Sequence, residues 1–235
     1  RVRAPLVPLR LLRRRNLATA NVAGVLWAAA MFAWFFISAL YLQRVLGYSA
    51  FQVGLAFLPS NLIMAAFSLG LSARLVLRLG RRVPLAGGLL LAAFGLALFA
   101  RAPLDGRFVV DVLPGMVLLG LGAGIALNPL LLAAMSDVEP SESGLASGIV
   151  NTACMIGGAL GLALLASLAA ARGDALRGAG ASASTALVGG YQLAFACGAC
   201  FAAAAALIGW IFLRAAPHAA PADAPLQPET TSMRR

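Results

Sequence analysis

The chain has no lysine, one histidine (His218), three cysteines and eight acidic residues, and charged residues make up only 11% of it. Soluble domains carry about 25% charged residues, so a water-soluble core is excluded at the level of composition. Acids and histidine are absent from the interior of every long apolar stretch. That removes the groups a base or metal ligand within a membrane would need, and the chain is expected to be no enzyme, with no catalytic residues, metal or cofactor. Cys197 and Cys200 form a C-x-x-C pattern, but no histidine lies nearby. They read as small packing residues of a membrane helix.

What the sequence does have is six apolar stretches, at 17–43, 51–73, 83–100, 112–136, 143–171 and 188–213. Each is at or near the ~20 residues that a helix needs to cross the hydrocarbon core, where only helices or closed barrels satisfy every backbone group. The expected fold is therefore all-α: a bundle of six transmembrane helices over 17–214, between a basic linker at 1–16 and a disordered tail at 215–235. The first apolar run, of 27 residues, exceeds the ~7 to 15 of a signal peptide. Because the chain starts at Arg1 with six arginines in its first 16 residues, that segment reads as a juxtamembrane linker cut from something longer.

The net charge of +10 does not point to nucleic acid, because all 18 basic residues are arginines clustered beside the spans. With the N-terminus inside, 13 arginines fall on one side and 5 on the other. Positive residues accumulate on the cytoplasmic side. The expectation is a multi-pass protein of the cell (plasma or inner) membrane with both termini cytoplasmic.

The first two spans and the fourth and fifth are offset by about 92 residues. Three is an odd number, so such a three-plus-three repeat is inverted, as in secondary transporters. Gly120 and Gly124, Gly144 and Gly148, and Gly157 and Gly161 stand four apart, the spacing that lets helices approach closely in lipid. Their first reading is bundle packing. A sharper one is that they smooth the surface on which this bundle rocks against a partner.

Between the second and third spans stands Ala73-Arg74-Leu75-Val76-Leu77-Arg78-Leu79-Gly80-Arg81-Arg82-Val83-Pro84-Leu85. It resembles the cytoplasmic G-x-L-A-D-R-x-G-R-R-x-x-L loop of the major facilitator superfamily, with Leu77 in place of the aspartate. Pro140-Ser141-Glu142-Ser143-Gly144-Leu145-Ala146-Ser147-Gly148, followed by Asn151-Thr152 and Gly157-Gly158-Ala159-Leu160-Gly161, is similar to span thirteen of the fourteen-helix drug:proton antiporters. Gly190-Tyr191-Gln192 with Phe195 resembles the opening of the last span. The resemblance implies one bundle, the C-terminal half, of a transporter that exports hydrophobic or cationic compounds for protons by alternating access. It also implies a missing N-terminal half that holds the coupling acids. The partners expected are a small-molecule substrate, protons and the lipid bilayer, with no nucleic acid. A facilitator-fold carrier of another substrate class and a six-span scaffold that transports nothing are the alternatives.

Trp27, Met31, Trp34, Ser38 and Tyr41 recur at helical spacing and so share one face of the first span. Trp27 and Trp34 flank its midpoint, and the face is either packing surface or, as the resemblance favours, a lining of the substrate cavity. Tyr41 and Trp210 suit membrane interfaces. Asn61 beside Pro59, and Asn128 beside Pro129, pair an amide with a residue that frees a helix carbonyl, which a neighbouring helix repairs or a substrate uses. With Asn151, these are the cavity candidates. The third span has no Ser, Thr, Asn or Gln from 83 to 100 and reads as a lipid-facing flank. Arg78, Gly80, Arg81 and Arg82 in one cytoplasmic loop, and Asp137 and Glu139 in the next, are the gating candidates. Asp137 or Glu139 is expected to pair with Arg78 or Arg81 in one access state, while Glu142 favours the N-terminal end of the fifth helix.

Overall fold

The computed structural model describes residues 14–136 and 138–213. The expected linker (but for 14–16), the tail and Asp137 lie outside the described residues. Six helices are long and apolar enough to cross a membrane: α1 Arg15–Arg44, α2 Ala50–Leu79, α3 Arg82–Phe99, α4 Phe108–Met135, α5 Ser143–Gly178 and α6 Ala183–Phe212. No strand occurs among the described residues. α2 contains a π-helical turn at Phe67–Leu71, and α4 begins with another at Phe108–Val112.

The helices outrun the apolar stretches because hydropathy reports burial in lipid and not helicity. α5 continues through Arg172, Asp174 and Arg177 to Gly178, and α6 starts at Ala183. The connection expected at 172–187 thus shrinks to 179–182, where Gly180 takes φ of +88° and Ser182 caps α6 by accepting from the Thr185 N–H at 3.2 Å. α2 likewise runs past Arg74 and Arg78, and the turn into α3 is only Gly80 and Arg81. Gly80 has φ of +72°, a conformation that an L side chain resists. At the start of α2, Ser49 and Gln52 form a reciprocal capping box, 2.8 and 3.3 Å, which satisfies donors at the helix start.

Packing gives the bundle an internal two-fold pattern. α1 packs on α5 as α4 packs on α2, α3 packs on α4 as α6 packs on α1, and α3 meets α6. These pairings match a three-plus-three repeat, except that α5 packs closely on α6 while α2 meets α3 only near their connecting turn. At the end holding Arg15, the Arg15 Nε donates to the Phe212 carbonyl (3.0 Å), and the Asn16 amide donates to Ser136 Oγ (3.1 Å). The Arg82 guanidinium lies 4.6 Å over the Trp210 ring at that same end. At the opposite end, called the far end below, the Tyr41 hydroxyl donates to the Pro103 carbonyl (2.6 Å), and the Gln192 amide donates to the Ala102 carbonyl (2.9 Å).

Glycines set the closest helix approaches. A Cβ on Gly88 would lie 2.7 Å from the Gly122 carbonyl, and one on Gly95 2.8 Å from the Gly115 carbonyl, so α3 and α4 touch through backbone. Gly120 and Gly124 meet Ser60 and Met64 of α2 in the same way, and Gly157 and Gly161 meet Val25 and Ala29 of α1. Two of the three spaced pairs are therefore packing positions, while Gly144 and Gly148 have nothing within 4 Å of an added Cβ. α3 packs one side into the bundle and turns an apolar stripe outward. Gly88, Ala92 and Gly95 let α4 close on it, and Leu90 and Phe94 are among the few large side chains it turns outward.

Candidate functional site

α2 and α5 are the least covered helices, and both carry amides on their open faces: Asn61 on α2, and Asn151 with Thr152 on α5, are exposed. Asn61 stands two residues after Pro59, near the helix middle. An amide left in hydrocarbon without a partner costs several kcal/mol. These faces therefore suit water, another protein surface or a polar solute better than acyl chains.

The amide beside Pro129 is used differently. Pro129 has no N–H, so the Ile125 carbonyl, four residues earlier, loses its helical donor. Ser72 of α2 supplies the missing bond: its hydroxyl donates to the Ile125 carbonyl at 3.0 Å, and Ser72 is fully buried. In return, Asn128 Nδ2 donates to the Ser68 carbonyl inside the π turn of α2, at 2.6 Å. Each helix repairs the other's irregular backbone, which is the neighbour-repair role expected for a proline in a membrane helix. Ser72 escaped the sequence reading because nothing in the pattern of α2 shows that it faces a carbonyl freed 53 residues away.

Bonds of this kind contribute about 0.6 to 2 kcal/mol in membranes. Ser72→Ala and Asn128→Ala are each expected to lower the thermal unfolding midpoint of the purified protein. The double variant should lose less than the sum, because both bonds hold one irregular contact. Strict additivity in the unfolding data would mean that the two bonds act separately.

The indole face of α1 lies inside the bundle. Trp27 is 7% and Trp34 1% exposed. Trp34 sits edge-on to Phe57 of α2 and Phe99 of α3, with centroids 5.4 and 6.2 Å away. Phe99 continues the cluster to Phe195 of α6 at 5.0 Å. Met31 is half-buried and packs against this core. In this arrangement both indoles are covered by protein, and Asn61 and Asn151 are the cavity candidates left open. Asn21 of α1, which the sequence reading passed over, has its Oδ1 buried without a partner while its Nδ2 donates to the Leu17 carbonyl.

Of the expected loop-to-loop ion pairs, those of Asp137 fall outside the described residues. Arg81 reaches across from the α2–α3 turn, but its guanidinium donates to the Leu132 carbonyl in the last turn of α4, at 3.0 Å. A cation there satisfies an orphan carbonyl and complements the helix dipole. Glu139 and Arg78 are exposed, and among the described residues no ion pair joins them. Arg82 lies over Trp210, and Glu142 occupies the N-cap of α5.

Residues 1–162 match the family model described as "Major Facilitator Superfamily". The cephamycin export protein of Amycolatopsis lactamdurans is 35% identical over 163 residues, 69% of this chain and 33% of that protein. The puromycin resistance protein of Streptomyces alboniger is 34% identical over 167 residues, 70% and 33%. A multidrug resistance protein of Mycobacterium tuberculosis is 34% identical over 169 residues, 71% and 30%. The matched part of the chain spans about a third of the length of these relatives.

Proposed function

The chain belongs to the major facilitator superfamily, a family of transporters and not of enzymes, and on that premise we propose that it is one six-helix bundle of an exporter of small compounds, completed by a second bundle. The reading rests chiefly on the open faces of α2 and α5, where Asn61, Asn151 and Thr152 stand uncovered although lipid is a poor partner for amides. A second bundle lying against these faces encloses a path that the amides line. Rocking of the two bundles alternates its access. Gly144 and Gly148, with open space above them, give α5 a smooth surface for that motion.

The names of the relatives, a cephamycin exporter and puromycin and multidrug resistance proteins, support a small drug-like substrate, which this proposal takes to be hydrophobic or cationic. Protons drive the exchange in this proposal. The described spans offer only Asp111 and Asp174, near the far-end helix termini, so the coupling carboxylates belong to the second bundle. The arginine asymmetry supports cytoplasmic placement of the end holding Arg15 and the Gly80 turn.

Susceptibility testing of the full-length transporter in an exporter-deficient host checks the reading. Asn61→Leu and Asn151→Leu should each change protection against some compounds by about 2- to 10-fold, the worth of one hydrogen bond, and leave others and membrane abundance unchanged. In the same cells a cysteine at Leu79 should be labelled only after permeabilisation and one at Ser182 directly. Loss of abundance without altered selectivity would refute the path-lining role, and direct labelling at Leu79 would refute the orientation.

A further inference from the structure

At the far end of the bundle, a groove of about 270 Å³ opens between α1, α5 and α6, away from the amides of Asn61 and Asn151. Its polar end is made by Arg44, in the last turn of α1, Arg177, in the last turn of α5, and Tyr191 of α6. Its wall is apolar and includes Phe36, Leu40 and Leu187. The Tyr191 side chain is only 6% exposed, and its buried hydroxyl faces the Arg44 guanidinium, a donor that lies outside strict hydrogen-bond geometry and leaves the phenol proton without an acceptor. Among the described residues Arg44 has no carboxylate partner. Arg177 is paired with Asp174 of its own helix, but both are largely exposed, and such a pair holds an arginine weakly.

Two guanidinium groups and a phenol hydroxyl converging at the mouth of an apolar groove describe an oxyanion site. Arginine can only donate, so the buried phenol proton still lacks an acceptor, which is uncommon, and an anion oxygen between the arginines would supply one. Planar guanidinium groups suit phosphate. From Arg44 the groove descends along α1 to Phe36, eight residues or about 12 Å deeper at 1.5 Å per residue, so a group held by the arginines would have hydrocarbon-compatible surface directly below it. Phe36 is 48% exposed, leaving the groove open along its side to the bilayer. The volume lies just below the usual range of drug-sized ligand sites, which favours a small group such as a phosphate. We propose that this groove binds a phosphate group at the far-end membrane surface, with Arg44 and Arg177 as its charge partners and the Tyr191 hydroxyl as a third contact.

An anionic phospholipid and free phosphate share this chemistry, and the experiment separates them. The full-length transporter is purified in neutral detergent, loaded with phosphatidylglycerol and examined by native mass spectrometry, with inorganic phosphate as competitor. The wild-type protein should retain the lipid. The Arg44→Gln, Arg177→Gln double variant should retain it about tenfold less or weaker, since charge-assisted bonds are lost. Tyr191→Phe should lose a few-fold, and Arg101→Gln, at the same end but outside the groove, should lose nothing. Displacement of the lipid by millimolar phosphate in the wild type, abolished in the double variant, makes free phosphate a ligand of the site. Retention that phosphate does not disturb makes the lipid the ligand. Equal retention by the wild type and the double variant overturns the proposal, as does retention of neither lipid nor phosphate by the wild type. Tyr191→Phe, which removes one oxygen, keeps the test open if the double variant fails to fold.

Discussion

A valine at Gly161 is expected to remove most folded protein from the membrane, whereas a valine at Gly144 or Gly148 leaves it there. All three glycines lie on α5, and the spacing of the pairs to which they belong does not tell them apart. At Gly161, however, an added Cβ falls on both the Cβ and the Cα of Ala29, and at Gly157 it lies 2.7 Å from Val25 Cγ1. A flexible side chain can yield, but the backbone of α1 cannot, so the two helices must separate along their contact. Overpacking of a core commonly costs about 1 to 3 kcal/mol. Forcing the α1–α5 crossing apart also forfeits its dispersion contacts, which stand in for the hydrophobic force missing between helices in lipid, and the loss should exceed that range. At Gly144 and Gly148 nothing lies within 4 Å, so a side chain meets open space. Fluorescence-detected size exclusion of the three tagged variants measures the contrast. Normal abundance and a monodisperse peak for Gly161→Val would show that the α1–α5 crossing is not as close as described.

Trp34→Ala should cost about 3 to 5 kcal/mol, the range for truncating a buried aromatic. The indole is 1% exposed and bridges three helices, touching Phe57 of α2 and Phe99 of α3 from its place on α1. Those edge-to-face contacts add to the loss of buried area. Trp34→Phe should recover much of the stability, because the Trp34 Nε1–H has no hydrogen-bond partner and its removal leaves no acceptor stranded. The measurement is the thermal unfolding midpoint in detergent beside drug selectivity in cells. An unchanged midpoint with altered selectivity would instead place Trp34 on the substrate path, and the bundle would have to open there.

Much of this fold is written in the order of residues, because a span is a local property: about twenty apolar residues without a charge must cross or be buried. The Gly80 turn is similarly local, requiring a positive φ that its residue type permits. The ends of α5 and α6 were not legible, since Arg172, Asp174 and Arg177 lower hydropathy without breaking a helix. The glycine pairs were legible as spacing but not as contacts. Gly157 and Gly161 find α1 only because the bundle brings α1 to them, whereas Gly144 and Gly148 find nothing.

The candidate site shows the same division more sharply. Pro129 announces that the Ile125 carbonyl is freed, but only the crossing of α2 and α4 supplies Ser72 to take it and gives Asn128 the Ser68 carbonyl in return. Arg81 announces a cation in a short turn, but the structure directs it to the Leu132 carbonyl. By itself the sequence determined the six apolar spans, their alternation across the membrane and the turn at Gly80. The tertiary structure decided which face of each span turns inward: the indoles of α1 into the core, Asn61 and Asn151 to the open faces. The reason is that lipid and the protein interior are both apolar, so hydropathy cannot separate a residue that packs on a helix from one that packs on an acyl chain.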